Sequence, residues 1–243
     1  MTDLHTHILP RMDDGARNVE TSLDMLRFEW LQNVKTVALT PHFYRDMDRP
    51  SQFLRHRAEA FETLRQAIGG LTPLERHTLP RMILGAEVSW MSGMAEWSEL
   101  EELCYEGTNY LLLEPPFHAW EDGFISDLYD LISRRNIVPV IAHIDRYLSS
   151  QKPEMLEQLF SLGLPTQISA EPFLHLTTRG RVLRCIESGR AKLLISDCHD
   201  MIRRPPNLGD AMAVIRKKLG RKANGFFAET DELLSSDAGN EIE

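Results

Sequence analysis

The chain has 243 residues, 42% of them hydrophobic, and a formal net charge of −9, which suits one large core and does not favour nucleic acid as a partner. Its basic residues are scattered as pairs such as Arg134-Arg135 and Arg203-Arg204, its longest apolar runs are far shorter than a bilayer span, and no signal-like segment precedes Asp3; no membrane insertion and a cytoplasmic location are expected. Cys104, Cys185 and Cys198 form no CxxC pair, which fits a reducing compartment and argues against a thiolate metal site.

Short aliphatic runs alternate with helix-period stretches and no linker interrupts them, so a single domain over residues 1–243 with about seven βα units is expected. In chain order, a strand near Thr2 to Leu4 leads to a helix over Glu20 to Gln32, and Thr36 to Leu39 leads to Gln52 to Ile68. Met82 to Ala86 precedes a helix over Glu96 to Cys104, and Tyr110 to Leu113 precedes one over Ile125 to Arg134. Val138 to Ala142 leads to Glu154 to Leu162, Thr166 to Ile168 to Arg179 to Ser188, and Lys192 to Ile195 to Gly209 to Leu219. Pro153 at one helix start and Gly163 beyond its end are fitting boundary residues. A repeated unit of this kind points to a closed or nearly closed parallel barrel, with an open doubly wound sheet as the alternative.

Against these strands the metal-capable side chains fall into a pattern. His5 and His7, His42, Glu87, Glu114, His143, and Asp197 with His199 each lie at or just after a strand end, where barrel active sites are built. The i, i+2 pairs His5/His7 and Asp197/His199 would each aim at one cavity if extended, and Gly15 allows the Asp13-Asp14-Gly15 loop a tight turn toward it. His56 and His77, placed in a helix and a polar loop, are expected at the surface. Packing several carboxylates and imidazoles at a barrel mouth is costly without a cation. The mixed nitrogen and oxygen donors favour Mn, Fe or Zn over Ca or Mg alone.

The motifs Asp3-Leu4-His5-Thr6-His7, Asp13-Asp14-Gly15, Thr40-Pro41-His42, Gly85-Ala86-Glu87, Leu113-Glu114, His143-Ile144-Asp145-Arg146-Tyr147 and Ser196-Asp197-Cys198-His199 through Arg204-Pro205-Pro206 keep their order over about residues 1–220. Together they resemble the PHP (polymerase and histidinol phosphatase) superfamily, and within it the manganese-dependent bacterial protein tyrosine phosphatases of capsular and extracellular polysaccharide synthesis. The resemblance implies an α/β fold, a distorted (β/α)7 TIM-like barrel, and two or three divalent metal ions, manganese foremost. It implies one ion on His5, His7, Glu87 and Asp197, with Glu87 bridging to a second on Glu114 and His143, and a third on Asp14, His42 and His199. Arg146 and Arg204 match arginines that contact the substrate phosphate. Ser89-Trp90 and the loop from Pro115 to Gly123 depart from the family pattern.

The expected reaction is phosphomonoester hydrolysis by water whose pKa is lowered between closely spaced cations, with His199 or Asp197 as candidate proton donors to the leaving phenolate. The implied substrate is a phosphotyrosine protein, the tail of a bacterial tyrosine kinase; oligomeric state stays open. A histidinol-phosphate-type phosphatase, a nuclease and a non-catalytic metal scaffold are the alternatives. Cys198 to Arg204 matches the bare C-x5-R spacing of cysteine-dependent phosphatases, but His199, Asp200, Met201, Ile202 and Arg203 cannot form the required small-residue cradle. Phe117, His118 and Trp120 offer aromatic surface for a phosphotyrosine ring, or pack locally.

Overall fold

A computed structural model describes residues 1–223 and residue 226. The end of the domain expected over residues 1–243 therefore lies outside the described residues. The strands are β1 (Thr2–Thr6), β2 (Thr36–Leu39), β3 (His42–Phe43), β4 (Arg81–Leu84), β5 (Glu87–Ser89), β6 (Tyr110–Glu114), β7 (Val138–Ile141), β8 (Gln167–Ser169) and β9 (Leu193–Ile195). Between and after them run α1 (Val19–Leu31), α2 (Pro50–Gly69), α3 (Pro73–His77), α4 (Asp122–Arg135), α5 (Pro153–Ser161), α6 (Glu171–Leu174), α7 (Leu176–Glu187) and α8 (Leu208–Leu219).

All strand pairings are parallel, in the orders β1-β2-β4, β3-β5-β6-β7 and β8-β9. Isolated parallel bridges join Thr6 to Cys198 and Ile141 to Thr166. The fold is thus α/β with parallel sheets, and its hydrogen bonding forms three arcs instead of one continuous ladder.

The strand expected over Thr36 to Leu39 is found with those bounds and the one expected over Met82 to Ala86 ends at Leu84, and each is followed after a two-residue break by a further short strand. Thr40-Pro41 separates β2 from β3, and Gly85-Ala86 separates β4 from β5. Proline offers no N–H to a ladder, and a Cβ on Gly85 would sit 3.0 Å from Tyr105 Cδ1 and 3.1 Å from Thr40 Cγ2. Pairing resumes past both breaks with His42 directly opposite Glu87. The β1–β2 register also shifts between Asp3 and Thr6, an irregularity of the kind that re-aims side chains.

Helix starts follow local chemistry: Asn18 accepts from Thr21 N at 2.8 Å ahead of α1, a Thr72/Glu75 capping box opens α3, and prolines open α2 and α5. His77 consequently ends a short helix and is not in a loop, though it is exposed as expected. The helix expected over Glu96 to Cys104 is replaced by two 3-10 turns, Met94–Glu96 and Leu100–Leu103. Arg135 Nη1 takes the carbonyls of Ala95 at 2.6 Å and Trp97 at 2.8 Å, so groups that a continuous helix would bond internally are satisfied from α4.

Two large apolar clusters pack the helices against the strands. A third, smaller cluster joins Leu4, Ala38, Ile83, Leu112, Val140 and Ile195, one from each of β1, β2, β4, β6, β7 and β9, so these strands turn a face to a common interior. None of the described helices is long and apolar enough to cross a membrane.

Candidate metal centre

All nine residues expected as ligands lie at one end of the strands. His5 sits in β1 and His7 just past it, His42 opens β3, Glu87 opens β5, Glu114 ends β6, His143 follows β7, and Asp197 and His199 follow β9. His5, His7, Glu87, Glu114, His143, Asp197 and His199 are buried, whereas the His42 side chain is 16% exposed and that of Asp14 is 69% exposed. Three sets of donor atoms converge within 4.8 Å: His7, Asp14, His42 and His199; His5, His7 and Glu87; and His42, Glu87 and Glu114. His143 Nε2 lies 2.8 Å from Glu87 Oε1 and 3.5 Å from Glu114 Oε1. Asp197 Oδ1 lies 3.6 Å from His5 Nε2 and 3.5 Å from His7 Nε2.

The backbone that achieves this is unusual. His143 has φ 24° and Asp197 φ 54°, a region costly for non-glycine residues and concentrated at functional sites. The alternation of an extended chain therefore does not explain why Asp197 and His199 converge; a left-handed residue turns the strand end inward instead.

Divalent cations fit these residues on the evidence of their polar atoms. His5 Nδ1 donates to Gln167 Oε1 at 2.9 Å and His7 Nδ1 to Asp13 Oδ2 at 2.6 Å. With a cation bound, each ring would turn an Nε2 lone pair inward, the two nitrogens being 3.2 Å apart and facing the carboxylates of Glu87 and Asp197. Without one, burial is overridden by Asp13, Asp197 and Glu87, which raise the His7 pKa well above its ordinary value, so that the ring carries the positive charge itself. His42 Nδ1 and Glu87 Oε2 approach to 2.9 Å, yet neither finds a hydrogen bond; Glu114 Oε2, His143 Nδ1 and His199 Nε2 are buried and unpartnered too. Lone pairs and carboxylates aimed at one another in a dry site call for positive charge.

Asp13, a residue not singled out as a ligand, is the hub of the surrounding shell. Besides His7 it accepts from His42 N at 2.9 Å and Gly15 N at 2.9 Å, and the imidazole of His7 beside it, overcoming burial, holds its carboxyl well below the usual range. Its Asp-x-Gly turn is the sequence signal that could have found it. Gly15 is required by volume: a Cβ there would lie 2.2 Å from the His7 carbonyl oxygen and 2.5 Å from His7 Cβ. Gln167, the anchor of His5, is itself set by Tyr105, whose hydroxyl takes Gln167 Nε2 at 3.3 Å and donates to Leu4 O at 2.8 Å. No local pattern marks that chain.

Arg146 and Arg204, from the loops after β7 and β9, both donate to Asp197 Oδ2. Their side chains are 36% and 33% exposed, so they form the wet edge of the cage. Burial opposes charge on Asp197, but His5, His7 and Arg146 outweigh it and keep the carboxyl ionised. Burial and the neighbouring His7 push His199 down to about 3. Both shifts disfavour a proton on Asp197 and on His199, and bound cations would push both further in that direction. Cys198 is fully buried beside Glu29, and burial followed by the Glu29 carboxyl pushes its thiol well up.

At the rim, the Tyr44 ring stacks on His42 at 5.3 Å, and Phe117, 67% exposed, stacks on Tyr147 at 5.9 Å, which in turn stacks on His143 at 6.0 Å. Trp120 is buried and its Nε1 donates to Pro116 O at 3.0 Å, so it packs locally.

The sequence profile of the family described as capsular polysaccharide synthesis, CpsB/CapC, matches residues 1–234. A protein named tyrosine-protein phosphatase CpsB from Streptococcus agalactiae is 28% identical over 96% of this chain and 98% of its own length. Tyrosine-protein phosphatase YwqE from Bacillus subtilis is 28% identical over 96% of this chain and 91% of its own. A crystal structure from work on YwqE of Bacillus subtilis and CpsB of Streptococcus pneumoniae, described as unique metal-dependent tyrosine phosphatases, superposes with a TM-score of 0.81 at 26% identity, over 96% of this chain and 94% of that one.

Proposed function

Because the chain belongs to the CpsB/CapC family of capsular polysaccharide synthesis, we propose that it is a metal-dependent protein-tyrosine phosphatase and that its substrate is the phosphorylated tail of a bacterial tyrosine kinase. The observation that carries the reading is the convergence of His5, His7, Asp14, His42, Glu87, Glu114 and His199 on one cage beside two arginines, in three sets whose donor atoms lie within 4.8 Å of one another. Among them the buried His42 Nδ1, Glu87 Oε2, Glu114 Oε2 and His199 Nε2 make no hydrogen bond. Relatives named as tyrosine phosphatases over nearly their full length support it.

In this reading His5, His7, Glu87 and Asp197 hold one ion, Glu87 reaches a second with Glu114 and His143, and Asp14, His42 and His199 hold a third, with manganese as the metal. Bound divalent cations lower the pKa of water and neutralise phosphoryl oxygens. The protein's own groups do the rest. Arg146 and Arg204 leave their shared contact on Asp197 to fork onto phosphoryl oxygens, a geometry guanidinium suits. Asp13 and Gln167 fix the tautomers of His7 and His5 and so their aim. Tyr44 and the exposed Phe117 flank the mouth with ring faces, a setting in which an aryl phosphate packs better than an alkyl one.

The three sheets read as arcs of a distorted (β/α)7 barrel: the bridges Thr6–Cys198 and Ile141–Thr166 and the interior shared by the strands support that closure. A cytoplasmic location fits a kinase-tail substrate.

Hydrolysis of a phosphotyrosine peptide, a phosphoserine peptide and histidinol phosphate, each with and without manganese after chelation, tests the assignment. Manganese-dependent preference for phosphotyrosine is expected; preference for histidinol phosphate would replace this reading with the small-molecule phosphatase.

A further inference from the structure

A cleft of about 490 Å³ opens directly off the cage, and its inner end is formed by Arg146, Asp197 and Arg204. Its apolar wall comes from three separate places, Phe28 on α1, Leu174 at the end of α6, and Met201, Pro205 and Pro206 in the loop after β9, and charged side chains, Asp145, Glu171, Arg203 and Asp210, border it. The phosphate clamp and the apolar wall are consecutive in the chain, since Arg204 runs straight into Pro205 and Pro206, whose φ angles are fixed.

Phe28 is the unexplained member. Its neighbours Met25, Leu26 and Glu29 are buried, yet its own ring stays 37% exposed in the cleft. Apolar surface held open to water next to a cationic clamp is the make-up of a recognition site. A second cleft, of about 520 Å³, begins on the other side of the cage at His42 and Tyr44, but polar and charged side chains such as Arg11, Asp48, Gln52 and Glu59 line it.

We propose that the cleft walled by Phe28, Leu174, Met201 and Pro205-Pro206 is a peptide subsite, taking an apolar side chain that flanks the phosphotyrosine while Arg146 and Arg204 hold its phosphate. When the phosphotyrosine ring enters the cage, the backbone that carries it stays at the mouth, and a neighbouring side chain falls into the opening that continues from the clamp. The enzyme then selects among phosphotyrosine proteins by the residues beside the modified one, beyond reading the phosphorylated ring. This assignment rests on the tyrosine-phosphatase reading.

The test compares kcat/KM on p-nitrophenyl phosphate, which has no flanking residues, with kcat/KM on two phosphotyrosine peptides that differ only in carrying leucine or serine beside the phosphotyrosine, all with manganese. Wild type should prefer the leucine peptide. Phe28→Glu, at an exposed position, and Met201→Ser should each lower kcat/KM on that peptide about tenfold, mostly through KM. Both variants should stay within about twofold of wild type on p-nitrophenyl phosphate. Equal losses on p-nitrophenyl phosphate and peptide, or no preference between the peptides in wild type, would overturn the subsite. Failure of the tyrosine-phosphatase reading looks different: wild type would then hydrolyse neither phosphotyrosine peptide, whatever its activity on p-nitrophenyl phosphate.

Discussion

Asp13 accepts the Nδ1 proton of His7 at 2.6 Å and thereby turns the other ring nitrogen into the cage. Its carboxylate also fixes His42 through the backbone. Asp13→Asn should therefore weaken metal affinity by roughly ten- to a hundredfold with every proposed ligand still present. A competition titration against a metal indicator measures it; unchanged affinity would mean that the His7 ring is aimed by its own packing.

Glu87 meets four imidazoles of the cage, His5, His7, His42 and His143. Glu87→Gln should lower bound metal and kcat together, as elemental analysis and kinetics on the same preparation would show. Wild-type activity should vanish on exhaustive chelation and return with manganese at least as well as with magnesium, since imidazole donors suit transition metals. Full activity in excess chelator would remove the metal from the account.

Arg146→Ala and Arg204→Ala separate the clamp from the cage. Both side chains touch Asp197 at its outer oxygen, Oδ2, while Oδ1 faces His5 and His7, so metal stoichiometry should stay near wild type. Loss of a phosphoryl contact should reduce kcat/KM for phosphotyrosine by about 2 to 4 kcal/mol, roughly thirty- to a thousandfold. Wild-type kcat/KM in both variants would show that neither arginine meets the phosphate.

Cys198 should be a bystander. It has no exposed surface, and Cys198→Ser should keep most of the activity, while thiol reagents should leave Cys198 unmodified in the native protein. A trapped phosphocysteine would reverse that assignment.

Beneath the cage, Glu29 is buried against Asp3, and burial followed by the Asp3 carboxylate pushes its pKa well above 4.5. A raised folded pKa adds stability that is complete below the unfolded value and is lost as pH rises through the folded one. The Tm of the chelated protein should thus fall more steeply in wild type than in Glu29→Gln as pH rises above the ordinary carboxylate range, since the variant has no such proton to lose. Parallel Tm curves would show that Glu29 carries the same charge folded and unfolded.

Much of this was readable from the chain because strand ends and ligands share short motifs. Thr40-Pro41-His42 and Gly85-Ala86-Glu87 mark both the break in a strand and the residue that follows it. What escaped depends on partners distant in sequence. Gln167 meets His5 across 162 positions, and nothing local marks a glutamine in a short strand as an anchor. The apolar spacing of Trp97, Leu100, Leu103 and Cys104 suits a helix, and Arg135 arriving from α4 takes up carbonyls of the segment that forms two turns instead. The left-handed backbone of Asp197 likewise has no signature in Ser196-Asp197-Cys198.

The first loop carries three neighbouring residues under three different kinds of constraint, and that difference bears on how such an enzyme drifts over evolutionary time. Gly15 is held by volume and Asp13 by hydrogen bonds, and both constraints operate whatever the loop coordinates. The side chain of Asp14 is 69% exposed and, among the described residues, its ion-pair contacts are with imidazoles, His42 at 3.7 Å and His199 at 3.3 Å. In the proposed three-ion arrangement, a lineage that gave up the third ion could therefore replace Asp14 freely while Asp13 and Gly15 stayed fixed, which would make the middle residue of this triplet the position whose identity reports how many ions a descendant still uses.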